Sequence, residues 1–92
     1  MGLAHLKTLT KLQQLYLHGT QVSDAGLAHL KALTQLLVLG LGDTQVGNVG
    51  LMHLKPLMQL RELNIKGTKV TKSGVDEIQK YLPKCDIYWK PR

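Results

Sequence analysis

Leu-Gln-Gln-Leu-Tyr-Leu-His-Gly-Thr at 12–20, continued by Gln-Val-Ser-Asp-Ala-Gly-Leu-Ala-His-Leu-Lys at 21–31, decides the fold, because the chain repeats it. Gly-Leu-Ala-His-Leu-Lys stands at 2–7 and 26–31, and Gly-Leu-Met-His-Leu-Lys at 50–55, an offset of 24 each time. Thr-Gln-Val at 20–22 and 44–46 and Thr-Lys-Val at 68–70 keep that interval. Four apolar columns follow: Leu12, Leu36 and Leu60; Leu15, Leu39 and Leu63; Leu17, Leu41 and Ile65; Leu9, Leu33 and Leu57, the last ended by Tyr81. Self-similarity at such a period marks stacked units, each too small to bury its apolar face alone.

Two periodicities share each unit. Leu15-Tyr16-Leu17 alternates inward and outward positions, as a strand does. Leu27, Leu30 and Leu33 recur every third residue, which suits a helical or 3₁₀ stripe. Strands are expected at about 13–18, 37–42 and 61–66, with a preceding helix at 2–9. The units span about 12–35, 36–59 and 60–81 of a single domain covering 1–92. Ser23 or Asp24, Gly47 or Asn48, and Thr71 or Ser73 are placed to cap the helix starts. Gly26, Gly50 and Gly74 follow them, where close packing between units or a special backbone angle favours glycine. Cys85, Ile87 and Trp89 alternate, so 84–90 reads as a closing strand, and Tyr81, Tyr88 and Trp89 gather there.

The pattern Leu-x-x-Leu-x-Leu-x-x-Thr at 12–20, 36–44 and 60–68 resembles the leucine-rich-repeat consensus, with Thr20, Thr44 and Thr68 where many members carry Asn or Cys. Val-Ser-Asp-Ala-Gly-Leu at 22–27 is similar to a bacterial subclass and, more distantly, to F-box-associated repeats. The resemblance implies a right-handed α/β solenoid, with a short parallel sheet on a concave face and helices on the convex one. It also implies the C-terminal part of a longer array. The motif is specific for fold and nearly silent about function.

On that expected concave face stand Gln14, Tyr16 and His18, then Val38, Gly40, Gly42 and Asp43, then Glu62, Asn64 and Lys66, and finally Asp86, Tyr88 and Lys90. Tyr16 and Tyr88 are the natural anchors, because aromatics dominate interface energetics. Gly40 and Gly42 suggest a bare floor at its centre. Protein or peptide is the expected partner. A first strand with no neighbour would also invite self-association through its edge. A structural segment of a larger array and a substrate-recognition arm of a ubiquitin-ligase-like complex are the alternatives.

Composition narrows this further. Leucine carries the core, since aromatics are 4% of the chain and Phe is absent. The formal charge of +6 admits acidic partners, nucleic acid or anionic membrane, and equally a solvated lysine-rich surface; no stretch approaches the roughly 18 to 20 apolar residues of a membrane span, so no membrane partner is expected. Only Arg61 and Arg92 supply guanidinium groups, and no nucleic-acid module accompanies them, which argues against nucleic acid. Lys7, Lys31 and Lys55 form a column at the repeat interval, and so do His5, His29 and His53, continued by Glu77. No partner that would orient the imidazoles of the histidine column can be read from the sequence, so neither metal nor cofactor is expected. No phosphate loop, nucleophile pair or carboxylate dyad appears, since Asp76 and Glu77 are adjacent and cannot share a helix face. A non-enzymatic chain follows. The single Cys85, and a start without a basic-then-apolar leader pattern, point to a cytoplasmic setting.

Overall fold

The computed structural model describes residues 9–90, so the helix expected over 2–9 lies, Leu9 apart, outside the described residues, with His5 and Lys7. Along the chain come β1 (Gln14–Tyr16), α1 (Asp24–Leu27) running into a 3₁₀ turn (Ala28–Ala32), β2 (Val38–Gly40), α2 (Asn48–Met52), β3 (Glu62–Asn64), α3 (Lys72–Tyr81) and β4 (Asp86–Tyr88). The four strands form one parallel sheet in chain order. Leu15 pairs with Leu39, Leu39 with Leu63, and Leu63 with Ile87, so each step across the sheet is one repeat. Parallel neighbours need a crossover, and the helical segments supply it.

Each strand is three residues long, shorter than the expected 13–18, 37–42 and 61–66. Pairing nonetheless runs past the strand ends. Leu17 N–H donates to the Gly40 carbonyl at 2.7 Å, Gly19 N–H to Gly42 at 2.9 Å, and Asp43 N–H to Lys66 at 2.8 Å. Regular extension stops because the chain then enters the left-handed region, with φ of +67° at Gly19, +55° at Asp43 and +71° at Gly67. Glycine adopts that conformation freely, and aspartate more readily than most side chains. The following threonine pins the turn. Hydroxyls of Thr20, Thr44 and Thr68 donate to the carbonyls of Leu17, Leu41 and Ile65 at 2.7–2.8 Å.

The core lies between sheet and helices. Leu39, Leu41, Leu63 and Ile65 meet Leu27, Leu30, Leu33, Leu51, Leu54 and Leu57, all without exposed surface. Their column mates in the first unit, Leu12, Leu15, Leu17 and Val22, are only half-buried. Burial therefore fades toward β1.

The last unit departs from the column pattern for a physical reason. In the first unit the stripe at spacing three is a short α-turn followed by a 3₁₀ turn, which returns to the same face every third residue. In the third it is a ten-residue α-helix. An α-helix also returns to a face after four residues, so Ile78 is followed inward by Leu82. Tyr81, which ends the Leu9, Leu33 and Leu57 column in sequence, turns outward, and the Lys55 ammonium sits 4.2 Å above its ring.

The capping residues are also used differently. No side chain caps the start of α1, α2 or α3. Asp24 instead reaches into the next unit and accepts the Gly47 N–H at 2.6 Å. Asn48 does the same, accepting the Thr71 N–H at 3.0 Å and donating to the Thr71 hydroxyl at 2.8 Å. These side chains pass where a Cβ on Gly50 or Gly74 would stand. Glycine at the helix start is therefore a matter of close packing between units, the first of the two reasons weighed from sequence.

Candidate functional site

Alternation along each strand turns leucines inward and sorts the outward residues into three rows across the sheet. The first row is Gln14, Val38, Glu62 and Asp86. The middle row is Tyr16, Gly40, Asn64 and Tyr88. His18, Gly42, Lys66 and Lys90 follow two residues further on at the same repeat offset. Tyr16 is 62% exposed and Tyr88 45%, one at each end of the middle row. Asp43, exposed and in the left-handed conformation, marks the far margin.

The expected bare floor is covered. Gly40 and Gly42 are buried, because the His18 imidazole folds from β1 across both. A Cβ on Gly40 would stand 2.9 Å from His18 Cε1, and one on Gly42 2.7 Å from its Nε2. The ring ends 3.4 Å from the Asn64 amide nitrogen. Asn64 Oδ1 accepts the Lys66 N–H at 3.1 Å, which turns the amide N–H₂ toward His18. Missing side chains on β2 were legible in sequence; the neighbouring strand's ring filling their place was not.

Electrostatics divide the face. Glu62 and Asp86 lie directly opposite each other on β3 and β4, both exposed. Lys66 and Lys90 stand two residues beyond the strand ends on the same two units. Among the described residues the ion pairs are Lys72 with Asp76 at 3.2 Å and Lys80 with Glu77 at 3.9 Å, both on α3. None of the four face charges takes part in either. An open hollow of about 440 Å³, which sequence reading did not mark, opens where β2, β3 and β4 begin; Leu37, Met58, Gln59, Leu60, Arg61 and Lys84 line it.

His29 and His53 are half-buried, and no cluster of three or more His, Cys, Asp or Glu side chains able to hold a metal occurs among the described residues. No buried side-chain nitrogen or oxygen among them lacks a hydrogen-bond partner. Cys85 is 4% exposed. Burial foremost, then the carboxylates of Asp86 and Glu62, push its thiol up to about 11 from an ordinary 9.0. Between those values the folded chain holds a proton that the unfolded chain releases. Stability from this group is therefore full below pH 9 and lost as pH rises toward 11. The stability gap between the wild-type chain and Cys85→Ala should narrow by about 2–3 kcal/mol over that window. Urea titrations of the two chains at matched pH values check this, with lysine and tyrosine titration cancelling between them.

Among the described residues no helix is long and apolar enough to cross a membrane. No family model and no curated protein matches the chain. Solved structures do. An internalin (inlF) of Listeria monocytogenes is 29% identical with a TM-score of 0.78, covering 95% of this chain and 24% of its own. The actin-binding site 2 of leiomodin-1 is 18% identical with a TM-score of 0.69, covering 98% of this chain and 60% of that one. An LRR protein of Leptospira interrogans is 21% identical with a TM-score of 0.62, covering 91% and 27%. The chain thus spans about a quarter of the internalin and of the Leptospira protein.

Proposed function

We propose, for a chain whose fold is that of the leucine-rich-repeat proteins, a non-catalytic module that binds protein or peptide through the outer face of its sheet. One observation carries the reading: two tyrosines stand exposed at either end of one outward row that runs across all four strands. Tyrosine joins a large apolar area to a polar tip and loses little side-chain entropy on binding. Gln14, Glu62, Asp86, His18, Asn64, Lys66, Lys90 and Asp43 supply the polar surround, with Val38 an apolar position among them. A segment of this fold serves as an actin-binding site in leiomodin-1. That likeness carries the fold and not the partner.

An affinity pull-down with the wild-type chain and with Tyr16→Ala plus Tyr88→Ala tests the assignment. The double variant is expected to keep its circular dichroism spectrum and to lose most of the recovered partner. Equal recovery by the two chains removes the sheet face from the reading.

A second reading, that the chain packs as part of a longer array, is favoured by the fading burial toward β1. Leu12, Leu15, Leu17 and Val22 are half-buried, where their column mates Leu36, Leu39, Leu41 and Val46 in the next unit are fully buried. The two readings are compatible, since added strands would widen the same face.

A further inference from the structure

The geometry points to an extended peptide carrying a cationic side chain and, four residues along, a carboxylate, laid over β3 and β4 with the cation at Glu62 and Asp86 and the carboxylate at Lys66 and Lys90. This rests on the sheet-face reading above and names the chemistry of its partner. Glu62 and Asp86 pair directly across the strands, where like charges oppose each other unfavourably. Neither forms an ion pair with a cation among the described residues. The field of both carboxylates reaches Cys85 beneath. Lys66 and Lys90 repeat the arrangement with the opposite sign, also exposed. A partner cation between the carboxylates, and a partner carboxylate between the ammonium groups, would remove both repulsions together.

Spacing selects the partner's form. Glu62 and Lys66 are four residues apart on a nearly extended chain, about 13 Å at roughly 3.3 Å per residue. An extended peptide has the same rise, so charges four apart in its sequence span the same distance. Extended side chains alternate, so residues at even spacing share a face. Residues i and i+4 both point at the sheet, and i+2 falls on the middle row between Asn64 and Tyr88. Residues i and i+3 cannot both do so. A second copy of the chain would also be charge-complementary, but four strands at roughly 4.8 Å spacing by 13 Å give only about 250 Å². A stable pair needs on the order of 800 Å² per partner. The face suits a narrow segment.

The test uses two end-blocked, fluorescein-labelled peptides of one composition, Lys-Ser-Leu-Ser-Asp and Lys-Ser-Leu-Asp-Ser, titrated with the full chain at low ionic strength and read by anisotropy. The first is expected to bind about tenfold more tightly. That preference should vanish in Glu62→Gln with Asp86→Asn, and equally in Lys66→Gln with Lys90→Gln. Equal affinities, no binding of either peptide, or a preference that survives both variants would overturn the proposal. So would a dimer in sedimentation that the same substitutions dissociate, since the face would then belong to a second copy. Equal peptide binding that is lost in Tyr16→Ala with Tyr88→Ala overturns the charge pattern and leaves the face in place. Equal binding untouched by those tyrosines removes both.

Discussion

Gly50→Ala is expected to destabilise the chain by about 2–4 kcal/mol, and Gly74→Ala, the same change one unit later, by about 1. The difference lies in what each new methyl group meets. At Gly50 the Cβ would stand 2.8 Å from the Asp24 Cα, a backbone atom that yields only if two units move apart. Moving them strains the 2.6 Å bond from Gly47 N–H to Asp24 and opens the leucine core beneath. At Gly74 the nearest atoms all belong to the Asn48 side chain, which can swing aside. The penalty there is the loss of the Asn48 bonds to Thr71, partly offset by alanine's better helix propensity. Urea denaturation of the two variants under one set of conditions measures the contrast. Asn48→Ala should absorb most of the Gly74→Ala effect, while Asp24→Ala should leave most of the Gly50→Ala effect, because the Cα remains. Equal penalties at the two glycines would show that backbone approach does not set the unit spacing.

That contrast shows how much of the molecule a sequence can display. The repeat interval determines strand register, so the pairing of Leu15, Leu39, Leu63 and Ile87 could be read directly from columns. Outward positions followed by alternation. Contacts between units were harder. Asp24 and Asn48 have capping chemistry, and a local reading assigns them to their own helices. The competing donors, the N–H groups of Gly47 and Thr71, stand 23 residues away and become neighbours only once the units stack. His18 over Gly40 and Gly42 is the same kind of contact, set by which way one ring turns across a strand. Tyr81 ends the column of Leu33 and Leu57 and faces outward, because the third unit's α-helix does not share the pitch of the earlier turns. Two ion pairs accompany the true α-helix in the third unit, Lys72 with Asp76 and Lys80 with Glu77, and their i,i+4 and i,i+3 spacing was the available signal. The opposition of Glu62 and Asp86 is legible from register alone, since the two stand one repeat apart at the same outward position.

Trp89→Ala should destabilise the chain by about 3 kcal/mol and loosen it from the β4 end. Trp89 holds the column position of Leu17, Leu41 and Ile65, one unit further on. A leucine there would leave the end of the core open. The larger indole packs against the buried cluster and extends to donate its Nε1–H to the Val70 carbonyl at 2.9 Å. Removing it withdraws apolar cover and leaves a carbonyl of a nearly buried residue without that donor. Trp89→Phe keeps most of the cover and loses the bond alone, so it should take away only about 1 kcal/mol. In a stack held by nearest-neighbour contacts the damage starts at the altered end. Hydrogen exchange should therefore quicken first at the ladder amides joining β4 to β3, such as Ile65 N–H bonded to Tyr88, and reach Leu17 N–H on β1 only at global unfolding. Comparable losses for Ala and Phe would place the stabilisation in the indole hydrogen bond. A uniform rise in exchange along the chain would mean that the sheet opens as one unit and that its end has no separate role.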